Sequence, residues 1–330
     1  MAARQAIIIQ PGAIGDCILT LPLAQFMRDS LNLGNIVFLG HLDYAGIFAG
    51  RTCINGVKSI ESVELNRLFL GRKEFDLEDN DPLLTAFITY SWIVTFLGEP
   101  NSDFEHNLIY TAHCTHSAEV ISLNLKPLVK PPTHISRCYI EQFAASHCPP
   151  LALPPINIRQ QLLTATDMDK LKGAELLKTF DIDSSAEKTT VIAPGSGSLS
   201  KCWSFENYIG LAKQLSLDGF KIIFLLGPAE LERFSSAVLR QLGDTAPCVS
   251  GLSLTEVLQL LSASYSFVGN DSGITHLAGA LGVKTIAVFG PTSADIYSPC
   301  GPNVHAFQMT PDEFAAISPT RQQHLAHLAR

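Results

Sequence analysis

Three short loops of this sequence carry residue types that could bind a ligand or do chemistry, and each loop follows a strand pattern and precedes a helical pattern. The richest lies between the apolar run 189–193 and a helix pattern that begins at Ser204. Its glycines and serines, with Ser196 and Gly197 at the centre, offer unblocked amides and hydroxyls, and Lys201 adds a full positive charge. The incoming helix adds the positive end of its dipole. This combination suits a diphosphate, and the alternative is a solvated loop with a chance lysine.

A second strand-to-helix turn follows the run 265–269. Asp271, Ser272 and Gly273 bring a helix N-terminus to the edge of the predicted sheet, and His276 lies in the first turn of that helix. A single histidine at such a place is more often structural than functional. Three strand ends that converge on one crevice favour a functional role, because doubly wound sheets bind their ligands at the carboxyl ends of their strands.

The loop nearest the amino terminus reads Gln10-Pro-Gly-Ala-Ile-Gly-Asp16 and follows the run 6–10. Gly12 and Gly15, on either side of Ala13, allow backbone to approach a ligand closely, although the spacing is not that of a dinucleotide-binding motif. Asp16 is predicted in the first turn of a helix, where acids are favoured by the dipole. The local pattern alone therefore favours a structural role for this carboxylate.

Short runs rich in β-branched residues alternate with helical patterns along the whole chain. This order predicts right-handed crossovers and parallel sheets with helices on both faces. The segment Ser204 to Gly219 and the capping box Ser253 to Glu256, which opens a helix to Ala263, mark helix boundaries. Further helices are expected over 17–28 and 166–180. Strands are expected at 6–10, 36–40, 88–96, 107–110, 189–193, 221–226, 265–269 and 284–289.

The stretch 148–155 contains four prolines and can continue neither a helix nor a central strand. We place a domain boundary there, since 330 residues exceed the usual size of one core. The expected domains are residues 1–150, residues 156–310 and a closing helical segment over 311–330. Two doubly wound, Rossmann-like α/β domains facing each other across a cleft form the architecture known as GT-B.

Composition excludes several classes of protein. The formal charge is −8, and the densest basic cluster is interleaved with acids, which argues against nucleic-acid binding. The eight cysteines show no C-x-x-C pair, so reduced thiols in the cytoplasm are predicted, and the run 6–9 is too short for the core of a signal peptide. The uncharged stretch 82–98 suits a helical turn leading into a buried strand better than a membrane span.

No metal or other cofactor is predicted. The D-x-D strings are interpreted as solvated faces, and the pair His113 and His116 lacks a second ligand cluster. The strings are Asp79/Asp81, Asp167/Asp169 and Asp181/Asp183.

Taken together, the motifs resemble glycosyltransferase family 9, the ADP-heptose:lipopolysaccharide heptosyltransferases. The resemblance is carried by Ile14-Gly15-Asp16, by Pro194-Gly195-Ser196 with Lys201 and Trp203, and by Asp271-Ser-Gly-Ile-Thr-His276-Leu-Ala with Phe289-Gly-Pro-Thr292. It spans residues 6 to about 300, and the segment beginning at Asp271 is its most specific part. The chain departs from the family pattern at 10–13, where the family commonly has an arginine and serines, and at Ala193, where it often has a histidine.

The resemblance implies a metal-independent transfer of a sugar, with inversion, from a nucleotide-sugar donor to the hydroxyl of a glycan or glycolipid acceptor. ADP-heptose is the implied donor, and a lipopolysaccharide core or another surface glycan is the implied acceptor. The implied place is the cytoplasm, with at most peripheral association with the inner face of the cytoplasmic membrane.

Carried over by position, the family pattern makes Asp16 the catalytic base. Gly12, Ala13 and Gly15 lie on the implied acceptor side, in the first domain. The implied donor-binding residues are Ser196, Gly197, Lys201, Glu230 for the ribose, backbone near Leu252 for the base, and Asp271, Ser272, Gly273 and His276 around the sugar and diphosphate. Two alternatives stay open: a non-catalytic protein that binds sugar nucleotides, and a sugar-nucleotide epimerase of GT-B architecture.

Overall fold

A computed structural model describes residues 4–115, 117–126, 132–153, 155 and 157–330. The chain divides into two compact units, Met1–Ile158 and Arg159–Arg330. His116, one of the two histidines considered above as metal ligands, lies outside the described residues. All eight cysteines are free thiols. Among the helices that the structure describes, none is both long enough and apolar enough to cross a membrane.

The first unit is built on a parallel sheet in the order β3-β2-β1-β4-β5. Strand β1 is central and almost wholly apolar, which suits a parallel strand covered on both faces. The strands are β1 Gln5–Ile9, β2 Asn35–Gly40, β3 Gly56–Ser59, β4 Trp92–Thr95 and β5 Glu119–Ser122. The helices are α1 Ile14–Leu19, α2 Leu21–Leu31, α3 Leu42–Ala45, α4 Pro82–Phe87, α5 Asp103–His113 and α6 Ile135–Ser146, with 3₁₀ turns at Ile60–Ser62 and Leu65–Phe69.

The second unit has a parallel sheet in the order β11-β10-β9-β6-β7-β8. Its strands are β6 Thr189–Ala193, β7 Lys221–Leu226, β8 Cys248–Ser250, β9 Ser266–Asn270, β10 Lys284–Phe289 and β11 Val304–Gln308. Its helices are α7 Asp167–Lys178, α8 Phe205–Leu217, α9 Pro228–Arg233, α10 Ser236–Thr245, α11 Leu254–Ser262, α12 Gly273–Ala280, α13 Ala294–Tyr297, α14 Pro311–Ala315 and α15 Pro319–Ala329, with a 3₁₀ turn at Leu199–Lys201. Helix α15 packs on α8, and its Leu325 and Ala329 lie in the core with Trp203 and Tyr208.

Most predicted elements are confirmed within a residue or two. Strands β6, β7 and β10 have the predicted bounds. Ser204 is the N-cap of α8, and Gly219 follows that helix in the left-handed conformation with φ of 86°. The capping box at Ser253 and two short helices after residue 310 are also present.

The strand predicted at 107–110 is wrong, because these residues lie inside α5. Ser102 caps that helix, and Phe104, Leu108 and Ala112 recur at a spacing of four residues on its buried face. Asn107 is buried there and donates to the carbonyl oxygens of Leu68 and Leu70. The helical period was therefore present in a segment whose apolar run suggested a strand.

Two other predicted elements have different limits. The strand expected over 88–96 is confined to β4, because α4 begins at Pro82 with Asp81 as its N-cap and ends at Phe87. The helix expected over 17–28 is divided at Thr20 into α1 and α2, with Pro22 in the first turn of α2. Proline is tolerated there because the first amides of a helix need no partner within it.

Candidate functional site

Two of the three loops, those after β6 and β9, meet at the switch point of the second sheet, whereas the loop after β1 belongs to the first sheet. Strands β6 and β9 are neighbours in register, with Ala193 beside Gly269. The chain runs from β6 outward to β7 and β8 and then returns to β9 on the other side of β6. Their carboxyl ends therefore open a crevice at the place where doubly wound sheets bind ligands.

Asn270, the last residue of β9, joins the two loops. Its side chain is fully buried, and Oδ1 accepts hydrogen bonds from the Trp203 amide at 2.9 Å and the Tyr208 hydroxyl at 2.8 Å. Its Nδ2 donates to the carbonyl oxygens of Pro194 at 2.8 Å and Gly195 at 3.2 Å. Sequence reasoning missed this residue, because an asparagine before a recognised motif carries no local sign of four distant partners.

Asp271 is the centre of a charged cluster at the mouth of the crevice. Its Oδ2 accepts from Lys201 Nζ at 2.7 Å and from Thr292 Oγ1 at 2.8 Å, and its Oδ1 lies 3.7 Å from His276 Nε2. Burial alone would raise the pKa of the Asp271 carboxyl, but the contacts with His276 and Lys201 outweigh burial and hold that pKa well below its usual range. The site thus keeps a fixed negative charge that orients the lysine.

His276 and Lys201 differ in their access to solvent. The His276 side chain is 5% exposed and its Nδ1 lacks a hydrogen-bond partner within the described residues, whereas the Lys201 side chain is 34% exposed. An ammonium group has three donors, so one bond to Asp271 leaves two for a ligand. Of these two predicted donor-binding residues, the Lys201 side chain is therefore the more accessible to a ligand.

Helix α12 begins at Gly273, and the residues around its start are fixed by short-range bonds. Ser272 Oγ lies 3.0 Å from Thr275 Oγ1, and Thr275 in turn donates to the Asn270 carbonyl oxygen. The N-terminal end of an eight-residue helix is thus held at the crevice, as the sequence predicted.

The loop after β6 is held by side chains on both sides. Ser196 is buried and its hydroxyl donates to the Asp271 carbonyl oxygen at 2.7 Å. Arg233, at the end of α9, donates to the carbonyl oxygens of Ser196 and Gly197, both at 3.1 Å. Arg233 is a second residue that no sequence feature identified.

Glu230, in the helix that follows β7, lies against Gly195 in the loop after β6. The Glu230 carboxylate accepts from the Gly227 amide at 2.6 Å, and a Cβ added to Gly195 would lie 1.6 Å from Glu230 Oε1. Only glycine at 195 leaves room for this carboxylate. Leu252 follows the edge strand β8, after Gly251 with φ of 73°, and it shares the carboxyl edge of the sheet.

In the first unit, the loop after β1 also lies at a switch point, between β1 and β4. Asp16 is the third residue of α1, and its Oδ2 accepts from the Ala13 amide at 3.1 Å. Its carboxylate lies against Gly12, where a Cβ would come within 2.7 Å of Oδ2. Gly15 is the second residue of α1. This bond at the start of α1 is a structural role for Asp16 of the kind that the local pattern favoured.

Gln10 shapes the same loop. It is fully buried, donates from Nε2 to Thr20 Oγ1 at 3.0 Å and accepts from the Gly12 amide at 3.0 Å. The departure from the family pattern at this position therefore has a structural use, since the glutamine connects the loop to the start of α2.

The interpretation of the D-x-D strings as solvated faces is wrong for two of their aspartates. Asp81 is 3% exposed, caps α4 and pairs with Arg67 at 2.7 Å. Asp169 is 1% exposed and completes the capping box of α7. Both acids were misread because helix caps and solvent-exposed acids share the same polar sequence context. Within the described ranges, histidine, cysteine, aspartate and glutamate form no group of three that would hold a metal ion.

The structure defines a class: a two-domain protein of parallel α/β units, of the GT-B fold class, with glycine- and serine-rich loops at the switch point of its second sheet. The fold is shared over nearly the whole chain with an Escherichia coli ADP-heptose lipopolysaccharide heptosyltransferase II, at a TM-score of 0.70 and 18% identity over 98% of each chain. It is shared likewise with the Escherichia coli heptosyltransferase WaaC with ADP, at a TM-score of 0.63 and 17% identity over 99% of this chain and 100% of that one. The chain belongs to glycosyltransferase family 9 (heptosyltransferase), whose family profile matches residues 115–325.

Among curated proteins, the chain is similar to lipopolysaccharide heptosyltransferase 2 of Salmonella typhimurium, with 31% identity over 135 residues. That alignment covers 39% of this chain and 38% of the relative, and the chain spans between 30% and 40% of the length of the curated relatives it matches. The family profile begins at residue 115 and does not include the loop with Asp16.

Proposed function

We propose that this protein transfers a heptose, with inversion and without a metal ion, from ADP-heptose to a hydroxyl of a lipopolysaccharide core or another surface glycan. Family membership supports the class of reaction. The curated relatives are lipopolysaccharide heptosyltransferases, and one solved structure of the same fold contains ADP, which supports the choice of sugar, acceptor and nucleotide.

One observation carries the proposal: Lys201, the glycine- and serine-rich loop and the start of α12 all lie at one switch point. A diphosphate needs positive charge and free amides, and these three elements supply both. In the transition state the leaving nucleoside diphosphate gains charge. Lys201 and the α12 N-terminus would stabilise that charge because they are already held in place by Asp271 and Asn270.

The other donor contacts follow from the family pattern. Glu230 would accept hydrogen bonds from the ribose hydroxyls, and backbone near Leu252 would contact the base. Ser272, Gly273 and His276 would surround the sugar and diphosphate. Glu230 is held by the Gly227 amide, so its carboxylate is already oriented before the donor arrives.

We place the proton-transfer step on Asp16. The acceptor's hydroxyl oxygen attacks the anomeric carbon while the bond from that carbon to the diphosphate breaks, and Asp16 takes the hydroxyl proton. A carboxylate suits this step because the proton becomes acidic only as the new bond forms. Its Oδ2 already accepts from Ala13, and the other oxygen is the one left for the acceptor. Gly12, Ala13 and Gly15 would form the adjoining acceptor side.

A binding panel tests the donor site first. ADP, GDP, UDP and CDP are each added to the full chain and the melting temperature is measured. A ligand at 100 times its Kd stabilises the folded state by about 2.7 kcal/mol. We expect ADP to give the largest shift. If no nucleotide raises the melting temperature, the donor site is wrong.

The second test is transfer from ADP-heptose to a lipopolysaccharide-core acceptor, with the anomeric configuration of the product read by NMR. Asp16→Asn should keep ADP affinity and lower the transfer rate by roughly two to four orders of magnitude. Its melting temperature should change little, because an amide oxygen can still accept from Ala13. Unchanged turnover would remove Asp16 from the mechanism, and ADP binding without transfer in the wild type would indicate a non-catalytic binding protein.

A further inference from the structure

Arg233 makes an unusual pair of contacts with the loop after β6. It is the last residue of the short helix α9, and its Nη1 and Nη2 donate to the carbonyl oxygens of Ser196 and Gly197, each at 3.1 Å. Within the described part of the chain, its guanidinium forms no ion pair with a carboxylate. One planar guanidinium group therefore donates to two consecutive peptide carbonyls more than thirty residues away in the sequence.

The two contacts of Arg233 also determine the direction of the amides that follow the two carbonyl groups. In a trans peptide group the C=O and the following N–H point in opposite directions. When the carbonyls of Ser196 and Gly197 both face Arg233, the amides of Gly197 and Ser198 must both face away from it. In an extended chain successive amides would alternate instead.

The two amides therefore point to the same side of the backbone. Two neighbouring N–H groups that point to one side can both donate to an anionic oxygen. In the described residues, neither the Gly197 nor the Ser198 amide donates to a protein acceptor. Both residues are exposed, and a Cβ added to Gly197 would meet open space. A ligand oxygen can therefore approach this side of the loop.

We propose that Arg233 is a positioning residue, which fixes the amides of Gly197 and Ser198 toward the diphosphate of the donor. This inference rests on the proposed function. Arg233 acts through the loop and not by touching the ligand. Attraction to the C-terminal end of α9 would also favour an arginine here, but it does not account for a fork across two carbonyls of another loop.

The test compares charge with geometry at this position. Arg233→Gln removes both, whereas Arg233→Lys keeps the charge but replaces the planar fork by a single ammonium group. Arg240→Gln is the matched control, because Arg240 is also exposed on a nearby helix and donates to a carbonyl of its own helix, that of Ser236. ADP affinity is measured by calorimetry at low and high salt, and the amide resonances of residues 197 and 198 are followed by NMR.

We expect ADP to bind about tenfold more weakly to Arg233→Gln, which corresponds to about 1.4 kcal/mol. Arg233→Lys should lose nearly as much ADP affinity, and Arg240→Gln should bind ADP as tightly as the wild type. ADP should shift the amide resonances of residues 197 and 198 in the wild type and much less in Arg233→Gln, with the melting temperatures of the free proteins nearly equal.

Two results would overturn the inference while leaving the proposed function intact. In the first, Arg233→Lys binds ADP as tightly as the wild type, and the weaker ADP binding of Arg233→Gln disappears in high salt. This would show that only the charge of Arg233 matters. The other is unchanged ADP binding in Arg233→Gln while Lys201→Met weakens it. If the wild type binds no nucleotide at all, the proposed function fails as well.

Discussion

Exchanging Asn270 for aspartate tests whether one buried amide holds together the two loops that follow β6 and β9. The substitution keeps the shape and the acceptor Oδ1 but replaces Nδ2 by an oxygen. That oxygen would lie near the carbonyl oxygens of Pro194 and Gly195, at the present distances of 2.8 and 3.2 Å. Since the side chain is fully buried, the new carboxyl should stay protonated in the folded state.

The cost depends on pH in a defined direction. A carboxyl whose folded pKa is raised binds its proton more tightly when folded, so stability falls as pH rises from the unfolded value near 4 toward the folded value. Because pH 7 lies about three units above the unfolded pKa, keeping the carboxyl protonated lowers the free energy of unfolding by at most about 4 kcal/mol, at about 1.36 kcal/mol per unit. One unsatisfied carbonyl adds about 1 kcal/mol. We expect Asn270→Asp to lose roughly 5 kcal/mol at pH 7 and only about 1 kcal/mol near pH 4.

Asn207 provides a matched control. It too is fully buried with four hydrogen bonds, donating to Ser204 and Ala316 and accepting from Ser318 and Gln322. Asn207→Asp should destabilise the fold with the same pH trend but leave the ADP affinity of the folded protein unchanged. Urea unfolding across pH, with ADP titrations near pH 5, measures both quantities. A loss below about 1 kcal/mol for Asn270→Asp at pH 7, or equal ADP affinity in the two variants, would refute this role.

Two further predictions concern the same crevice. Asp271→Asn should lower the free energy of unfolding by about 2–3 kcal/mol at neutral pH. A carboxyl whose pKa is lowered in the folded state stabilises the fold above its unfolded pKa near 4, and this stabilisation is lost as pH falls through the lowered pKa. The unfolding free energies of the variant and the wild type are measured at pH 6 and pH 3. Their difference should be roughly 1 kcal/mol smaller at pH 3, and an equal difference at both values would contradict the charge assigned to Asp271. Gly195→Ala should displace Glu230 and weaken ADP binding, because the new Cβ would overlap the Glu230 carboxylate. Gly197→Ala is a control for fold stability: its Cβ meets open space, so the free energy of unfolding should change by less than about 0.5 kcal/mol. Equal ADP affinity in Gly195→Ala and the wild type would show that the contact with Glu230 is not used.

Much of the fold follows from local pattern. Strands such as β6 and β7 are continuous apolar runs because both faces of a parallel sheet are covered. The helix start at Ser253 follows from the unsatisfied amides at any helix N-terminus, because the Ser253 hydroxyl accepts from the Glu256 amide; Ser204 stands at the N-cap position of α8 without such a side-chain bond. Local pattern failed at 107–110, where an apolar run belongs to the buried face of a helix and a buried asparagine bonds to a distant turn.

The sequence by itself indicated which loops we propose as the site of the chemistry. Glycine, serine and lysine between a strand and a helix predict an anion site from short-range geometry alone, and the segment from Asp271 to His276 identifies the family. These properties need only neighbours in the chain, so one sequence is enough to find them.

Only the tertiary structure decided how the loops are held. Asn270 reaches carbonyls up to 76 residues away, Lys201 pairs with Asp271 across 70, and Arg233 grips a loop 36 and 37 residues before it. Such bonds depend on the strand order β9-β6-β7, which places the carboxyl ends of separate segments side by side. Strand order is set by the packing of the whole sheet, so no local pattern reveals these partners.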